Sequence, residues 1–345
     1  MTPKELGFYF PAEWARHEAT WLSYPHNENS WPEKIEAIFP SYNMFIKTLS
    51  EVETVHVNVQ DEAMAQRVTE QLKKIGTFMV NVEMHLFPTN DAWCRDHGPA
   101  VLLNRREMGH RAIVDWDYNA WGGKYPPFDL DNAIPARIAE FMGIDHVFRP
   151  GIVMEGGSVD FNGEGDVLTT TSCLLNKNRN PKLKKEQIEQ YLVDYYGVDN
   201  VIWLGDGIAG DDTDGHVDDM SRFVSKDTIV TAVEHNDADP NYEPLQKNLR
   251  RLKRCRLANG KQPAIAELPM PDPVVWEGQR LPASYANFYI CNGMVIFPTY
   301  KCDSDNRAAY TLEDCFPDRE IVGIDSTDII WGLGSFHCLS QQLPA

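Results

Sequence analysis

Apolar and polar positions fall into a recurring unit: a stretch with helical amphipathic spacing, a short break, a β-branched or apolar run, then a polar, glycine-bearing segment. The first instance runs from "DEAMAQRVTEQLKKIG" through "TFMVNVEMHLF" to "NDAWCRDHGP". The second runs from "DNAIPARIAEFMG" through "IDHVFRPG" to "MEGGSVDFNGEG", and the third from "PKLKKEQIEQYLVDYYG" through "VDNVIWLG" to "GDDTDGHVDD". The fourth joins "NYEPLQKNLRRLKRCRL", "PAIAELPMP" and "GQRLPASYANFYICNG"; the fifth joins "DNRAAYTLEDCFP", "REIVGI" and "WGLGSFHCLSQQ". Each polar segment follows the end of a predicted strand.

None of these units can bury its apolar face alone, so five would bury them together, in a row or about a common axis. A closed ring would bring the five strand-end segments to one centre, whereas ordinary α/β alternation without symmetry would not. No Ser/Gly-rich linker or long like-charge block divides the chain, so one domain over 1–345 is expected.

With 345 residues, 43% of them hydrophobic, the chain is long enough for a full core. Its formal net charge of −19 repels phosphate backbones and anionic lipid and favours a cationic small molecule, which argues against a nucleic-acid or membrane partner. The first residues, "MTPKELGFYFPAEWARHEATW", lack the basic start and apolar run of a signal peptide. No apolar run approaches the roughly 20 residues needed to span a bilayer. Seven cysteines without a CxxC pair suggest reduced thiols in a cytoplasmic protein and argue against a disulfide frame or zinc knuckle. A homodimer is the default assembly.

The polar segments hold carboxylates, an imidazole and a thiol: Asp96 in "WCRD", Glu155 in "EGG", His216 and Asp218 in "GHVD", and Cys338 in "FHC". These are the parts for attack by sulfur on an electrophilic carbon. A calcium loop in "GDDTDGHVDD" fails on register, because Gly215 at loop position 6 puts Gly210 at position 1 and Ser221 at position 12. A looser metal site on His216, Asp218 and Asp219 lacks a second ligand cluster of matching spacing. "HVDDMSRFVS" followed by "KDTIVTAV" predicts a hairpin, with His216 and Asp218 on one face of its first strand. A histidine bonded to a turn carboxylate is the structural alternative.

Among the cysteines, Cys338 follows "WGLGS", whose glycines permit a constrained turn, while Cys94 would share a strand face with Asp96, which holds a thiol protonated. His337 adjoins Cys338 but points the other way in an extended chain, so His216 is the preferred partner.

Six segments in order, "PAEWARHEATWLSYPHN", "WCRDHGP", "WDYNAWGGKYPPFD", "EGGSVDFNGEGDVLTTTSCLLNKNRNP", "DTDGHVDDMSRFV" and "FHCLSQQ", resemble the agmatine deiminases of the bacterial-type peptidylarginine deiminase family, in the guanidine-modifying (pentein) superfamily. The resemblance runs nearly end to end. It implies an α/β fold, a five-bladed propeller of ββαβ modules with pseudo-fivefold symmetry and the active site in the central pit. It further implies Cys338 as nucleophile, His216 as general acid/base, Asp96 and Asp218 as the carboxylates that hold a guanidinium, and Glu155 as the group orienting His216 or a substrate nitrogen. Trp93 becomes an aromatic wall beside the substrate and Asp212 a receiver for the distal amine of agmatine. No metal or organic cofactor is implied. The chain departs from many family members in having "GLGSFHC" where they carry a glycine run and "NIHC", which changes the packing around Cys338 through Ser335 and Phe336.

Overall fold

The structure is a computed structural model that describes residues 1–345. Five sheets repeat one order: an antiparallel strand pair, a helix, then a strand parallel to the second member of the pair. Four follow the chain directly. Ala100–Asn104 and Arg111–Val114 are joined by Val147–Phe148; Val159–Phe161 and Asp166–Thr170 by Asn200–Leu204; Ser221–Ser225 and Thr228–Val233 by Ala264–Pro269; Tyr289–Cys291 and Met294–Thr299 by Glu320–Asp325. The remaining sheet closes the chain by joining its last strand to one near its start: Ser340–Pro344 pairs antiparallel with His17–Ser23, which pairs parallel with Thr54–Asn58, followed by Val82–His85.

The amphipathic stretches form helices where the spacing predicts them. In Glu62–Lys74, Asp61 accepts a hydrogen bond from the Met64 backbone N–H at 2.7 Å and caps the first turn. Met64, Val68 and Leu72 supply its buried stripe, each contributing roughly 1.5–3 kcal/mol when fully removed from water. Ile134–Met142 begins with Pro135 in its first turn and ends at Gly143, whose φ of 64° is the left-handed cap that glycine adopts without a Cβ clash.

One long helix lies outside the five-unit pattern. Ile35–Ser50 connects His17–Ser23 to Thr54–Asn58, so the closing sheet carries two helices. Its run "IEAIFPSYNMFIKTLS" interrupts its apolar positions with buried Asn43 and Thr48 and has Pro40 inside, which blurs the helical period.

This closing sheet is covered on both faces. Leu22, Val55, Val57 and Val82 join the core with Ile38, Phe45 and Leu49, while Ala19 and Trp21 pack on the other side with Ile134 and Ile138. Two residues before its last strand stands Cys338. No helix is long and apolar enough to cross a membrane.

Candidate active site

All five polar segments deliver side chains to one buried cluster. Asp96 lies on the short helix Cys94–His97, Glu155 caps the 3-10 turn Gly156–Ser158, and Asp218 lies on the 3-10 turn Val217–Asp219, immediately after His216. The fourth segment contributes Asn287 and the fifth Cys338. These stretches are turns rather than strands, which corrects the expected hairpin face for His216 and Asp218: the observed hairpin begins only at Ser221. The two side chains still converge, with His216 Nδ1 4.0 Å from an Asp218 oxygen and 3.7 Å from an Asp96 oxygen.

Close approach explains the glycine in "EGG". A Cβ on Gly157 would lie 2.6 Å from His216 Nδ1, 2.9 Å from Asp96 Oδ1 and 3.0 Å from Asp218 Oδ2. Only a residue without a side chain lets these three groups meet, and its N–H donates to Asp96 at 2.9 Å. The other Asp96 oxygen accepts from Trp121 Nε1 at 2.9 Å.

Asn287 organises the thiol turn. Its Oδ1 accepts from the backbone N–H groups of Ser335, His337 and Cys338, at 3.1 to 3.2 Å. Its Nδ2 lies 3.0 Å from Cys338 Sγ and donates to Asp219 at 2.9 Å. No sequence spacing pointed to it, because an asparagine in a polar segment is ordinary until its partners are known.

His337 is not idle either. Its Nδ1 meets Asp218 Oδ2 at 2.6 Å and its Nε2 meets Glu13 Oε2 at 2.8 Å. The same Asp218 oxygen lies 3.5 Å from Cys338 Sγ. Glu13 in turn pairs with Arg95 at 3.2 Å and Arg222 at 3.0 Å, and all of these groups are buried.

Burial alone would raise both Asp218 and Glu13. For Asp218 it is outweighed by the hydrogen bond and charge of His337, and for Glu13 by the charges of Arg222, His337 and Arg95, so both carboxyls fall below the usual range. Asp219 goes the other way: burial, then the neighbouring charges of Asp218, Asp211 and Asp96, push it well above the usual range. Asp96 is also raised, chiefly by burial. The Cys338 thiol is pushed well up by burial and then by Asp218, Asp219 and Asp96. Cys94, fully buried, is pushed up to about 12 by burial, and it does not line the cavity described below.

Glu155 accepts from Arg179 Nε at 2.6 Å, while its other oxygen has no partner. Its carboxylate, the Cys173 sulfur and a His216 nitrogen lie within 4.8 Å of one another. Both His216 nitrogens lack hydrogen-bond partners, which leaves the imidazole free to exchange a proton with a reacting group.

A cavity of about 250 Å³ leads to this cluster. Cys338 and Asp96 stand at its buried end, Trp93 and Trp121 form walls, and Tyr125, Asp212, Trp276 and Trp331 stand nearer the surface. Trp93 is fixed by stacking on Trp31, ring centroids 5.3 Å apart. A Cβ on Gly334 would strike Trp93 at 2.6 Å and the Cys338 Cβ at 3.0 Å, so a glycine here lets wall and thiol approach. Asp212 accepts hydrogen bonds from Tyr125 and from Lys124, the latter at 3.2 Å. Asp214 binds Arg179, Asn178 and Lys124, and Asp211 holds Thr213, so the aspartates left without a role in "GDDTDGHVDD" shape the loop.

A buried thiol among carboxylates beside an unpartnered imidazole, carried on five repeated sheets, defines an α/β protein whose central cluster has the parts for attack by sulfur on an electrophilic carbon. The family model described as Porphyromonas-type peptidyl-arginine deiminase matches residues 9–344, and the chain belongs to that family. A Legionella pneumophila relative provisionally named agmatine deiminase is 37% identical, covering 99% of this chain and 96% of its own. The structure of the agmatine deiminase of Enterococcus faecalis superposes with a TM-score of 0.93 at 33% identity, over 99% of this chain and 97% of that one. A cysteine-to-serine variant of the C. jejuni agmatine deiminase with substrate bound gives a TM-score of 0.88 at 35% identity, over 98% and 96% of the two chains.

Proposed function

We propose that the protein hydrolyses agmatine to N-carbamoylputrescine and ammonia through a covalent intermediate on Cys338. The observation that carries this reading is the position of the Cys338 thiol at the buried end of an acidic cavity, 3.5 Å from Asp218 and beside Asp96. Similarity to agmatine deiminases over nearly the whole chain supports agmatine as substrate.

A guanidinium is planar and resonance-stabilised, so its carbon is a poor electrophile in water. Asp96 and Asp218 grip its nitrogens with charge-assisted hydrogen bonds and fix its plane for attack. Burial, and then its acidic surroundings, favour the protonated form of the resting thiol; entry of the cationic substrate offsets those charges and favours the thiolate. Sulfur attacks the guanidinium carbon, His216 protonates the departing nitrogen, and ammonia leaves a Cys338 S-alkylthiouronium. Water, deprotonated by His216, then adds; sulfur departs and the ureido product remains. Glu155 orients His216 or a substrate nitrogen, Trp93 lines the alkyl chain, and Asp212 receives the distal amine. Lys124 already neutralises part of the Asp212 charge, so that amine must share it.

The five ββαβ sheets close into a single-domain propeller with the site at its centre. Support comes from the pairing of Ser340–Pro344 with His17–Ser23 and from contacts between inner strands of successive sheets, Ser340–Pro344 with Ala100–Asn104 and Val159–Phe161 with Ser221–Ser225.

Incubation with agmatine, arginine and an arginyl peptide, with ammonia and ureido product measured, tests the function. Agmatine is the expected substrate, and Cys338→Ala is expected to lose turnover by roughly 10,000-fold or more. No ammonia from agmatine would overturn the reading, and arginine as the better substrate would leave the chemistry and replace the substrate. Asp218, Asp219 and Cys338 also lie close enough to hold a metal ion, so turnover abolished by a chelator and restored by added divalent metal would replace the cysteine mechanism.

A further inference from the structure

The closing sheet carries a second cluster of chemically capable side chains, on the face opposite Val55 and Val57. Trp21, His56 and Glu83 stand side by side on three adjacent strands, and His85 follows Glu83 on the same face. His56 Nδ1 is 2.8 Å from His85 Nε2 and 3.5 Å from a Glu83 oxygen. Ligand atoms of all three residues lie within 4.8 Å of one another.

Few hydrogen bonds link the three groups. A neutral imidazole carries one N–H and one acceptor nitrogen. A single hydrogen joins the two histidine nitrogens, and the carboxylate receives at best a fork of that same hydrogen. A dication at the centre would bind three lone pairs at once.

We propose that His56 Nδ1, His85 Nε2 and a Glu83 carboxylate oxygen form a zinc-binding site with its fourth position open to water. Two neutral imidazoles and a carboxylate suit zinc in chemistry. Ligand bonds of about 2.0–2.1 Å in a tetrahedron place ligand atoms roughly 3.3 Å apart, so the imidazoles need to part by only about 0.5 Å. Aromatic groups hold the rings: Trp21 stacks on His56 at 4.5 Å between centroids, and Phe141 packs edge-on to His85 at 4.6 Å. Glu83, with 53% of its side chain exposed, provides the entry path. The site is separate from the catalytic cluster, but His85 ends the strand from which the chain continues to Trp93 and Asp96, so a bound ion would anchor the start of that connection.

Isothermal titration of metal-stripped full-length protein with zinc chloride tests the site, on a Cys173→Ser/Cys338→Ser background that removes the thiols of the other two ligand clusters. One equivalent is expected to bind, with binding lost in His85→Gln and weakened roughly tenfold or more in Glu83→Gln. Cobalt(II) substituted at the site is expected to show d–d absorption without a thiolate charge-transfer band. Absence of zinc binding, unchanged binding in His85→Gln, or a thiolate band would each overturn the proposal. If circular dichroism shows His85→Gln to be unfolded, exposed Glu83→Gln decides alone, and unchanged affinity there overturns it.

Discussion

The two ends of the cavity are built on opposite principles. At the buried end, Asp96, Asp218, His216 and Cys338 are at most 4% exposed, and hydrogen bonds hold Asp96, Asp218 and Cys338 in place. At the mouth, Asp212 sits in water beside Lys124 and Tyr125, and Trp276 belongs to a small two-stranded ribbon, Val275–Trp276 with Gln279–Arg280. Low dielectric at the inner end makes each charge count for several times its value in water, whereas the outer contacts are screened. In the proposed function, chemistry therefore belongs to the inner end and substrate choice to the outer.

The largest contrast is expected from Asp218→Asn, which removes a proposed guanidinium partner at the inner end. It should lower kcat/KM by roughly 100- to 1,000-fold. It should also speed iodoacetamide alkylation of Cys338 at fixed pH, because a negative neighbour of the thiol is gone; slower alkylation would contradict the assigned electrostatics. Gly157→Ala comes next. Its methyl group meets His216, Asp96 and Asp218, and a displacement near 1 Å costs about 100-fold in kcat, measured by ammonia release with folding checked by circular dichroism. Wild-type kcat would mean that the three groups need not meet.

Alkylation of resting Cys338 should keep rising with pH beyond the ordinary thiol range of about 8.5, since burial and three carboxyls oppose ionisation. A plateau near neutrality, read by mass spectrometry, would show a preformed thiolate. The smallest effect is expected at the mouth. Asp212→Asn should raise KM for agmatine a few-fold with kcat little changed, as fits a screened contact worth roughly 1 kcal/mol or less. A large fall in kcat there would erase the distinction between the two ends.

The buried ion network behind the inner end shows why such a site needs so much of the molecule. Glu13, near the start of the chain, pairs with His337, near its end, and with Arg95 and Arg222 from elsewhere. Leaving one such charge unpaired costs about 3–5 kcal/mol, so these residues hold the site only as a set.

Periodicity in the chain was enough to mark out five helices, their following strands and five polar segments, because amphipathic spacing reports burial locally. The reactive residue types in those segments, and the resemblance carried by their motifs, singled out Cys338, His216, Asp96, Asp218 and Glu155, which the structure brings together. Tertiary structure alone decided which neighbours hold them. His337 looked unused because side-chain direction was inferred from an extended chain, yet it bridges Asp218 and Glu13. Asn287 became visible only once three distant backbone N–H groups pointed at it. The helix Ile35–Ser50 escaped because burial on several sides leaves no clean polar stripe. Local pattern determines what each segment can become; which atoms meet across hundreds of residues depends on closure of the sheet by the last strand, and no window of sequence contains that contact.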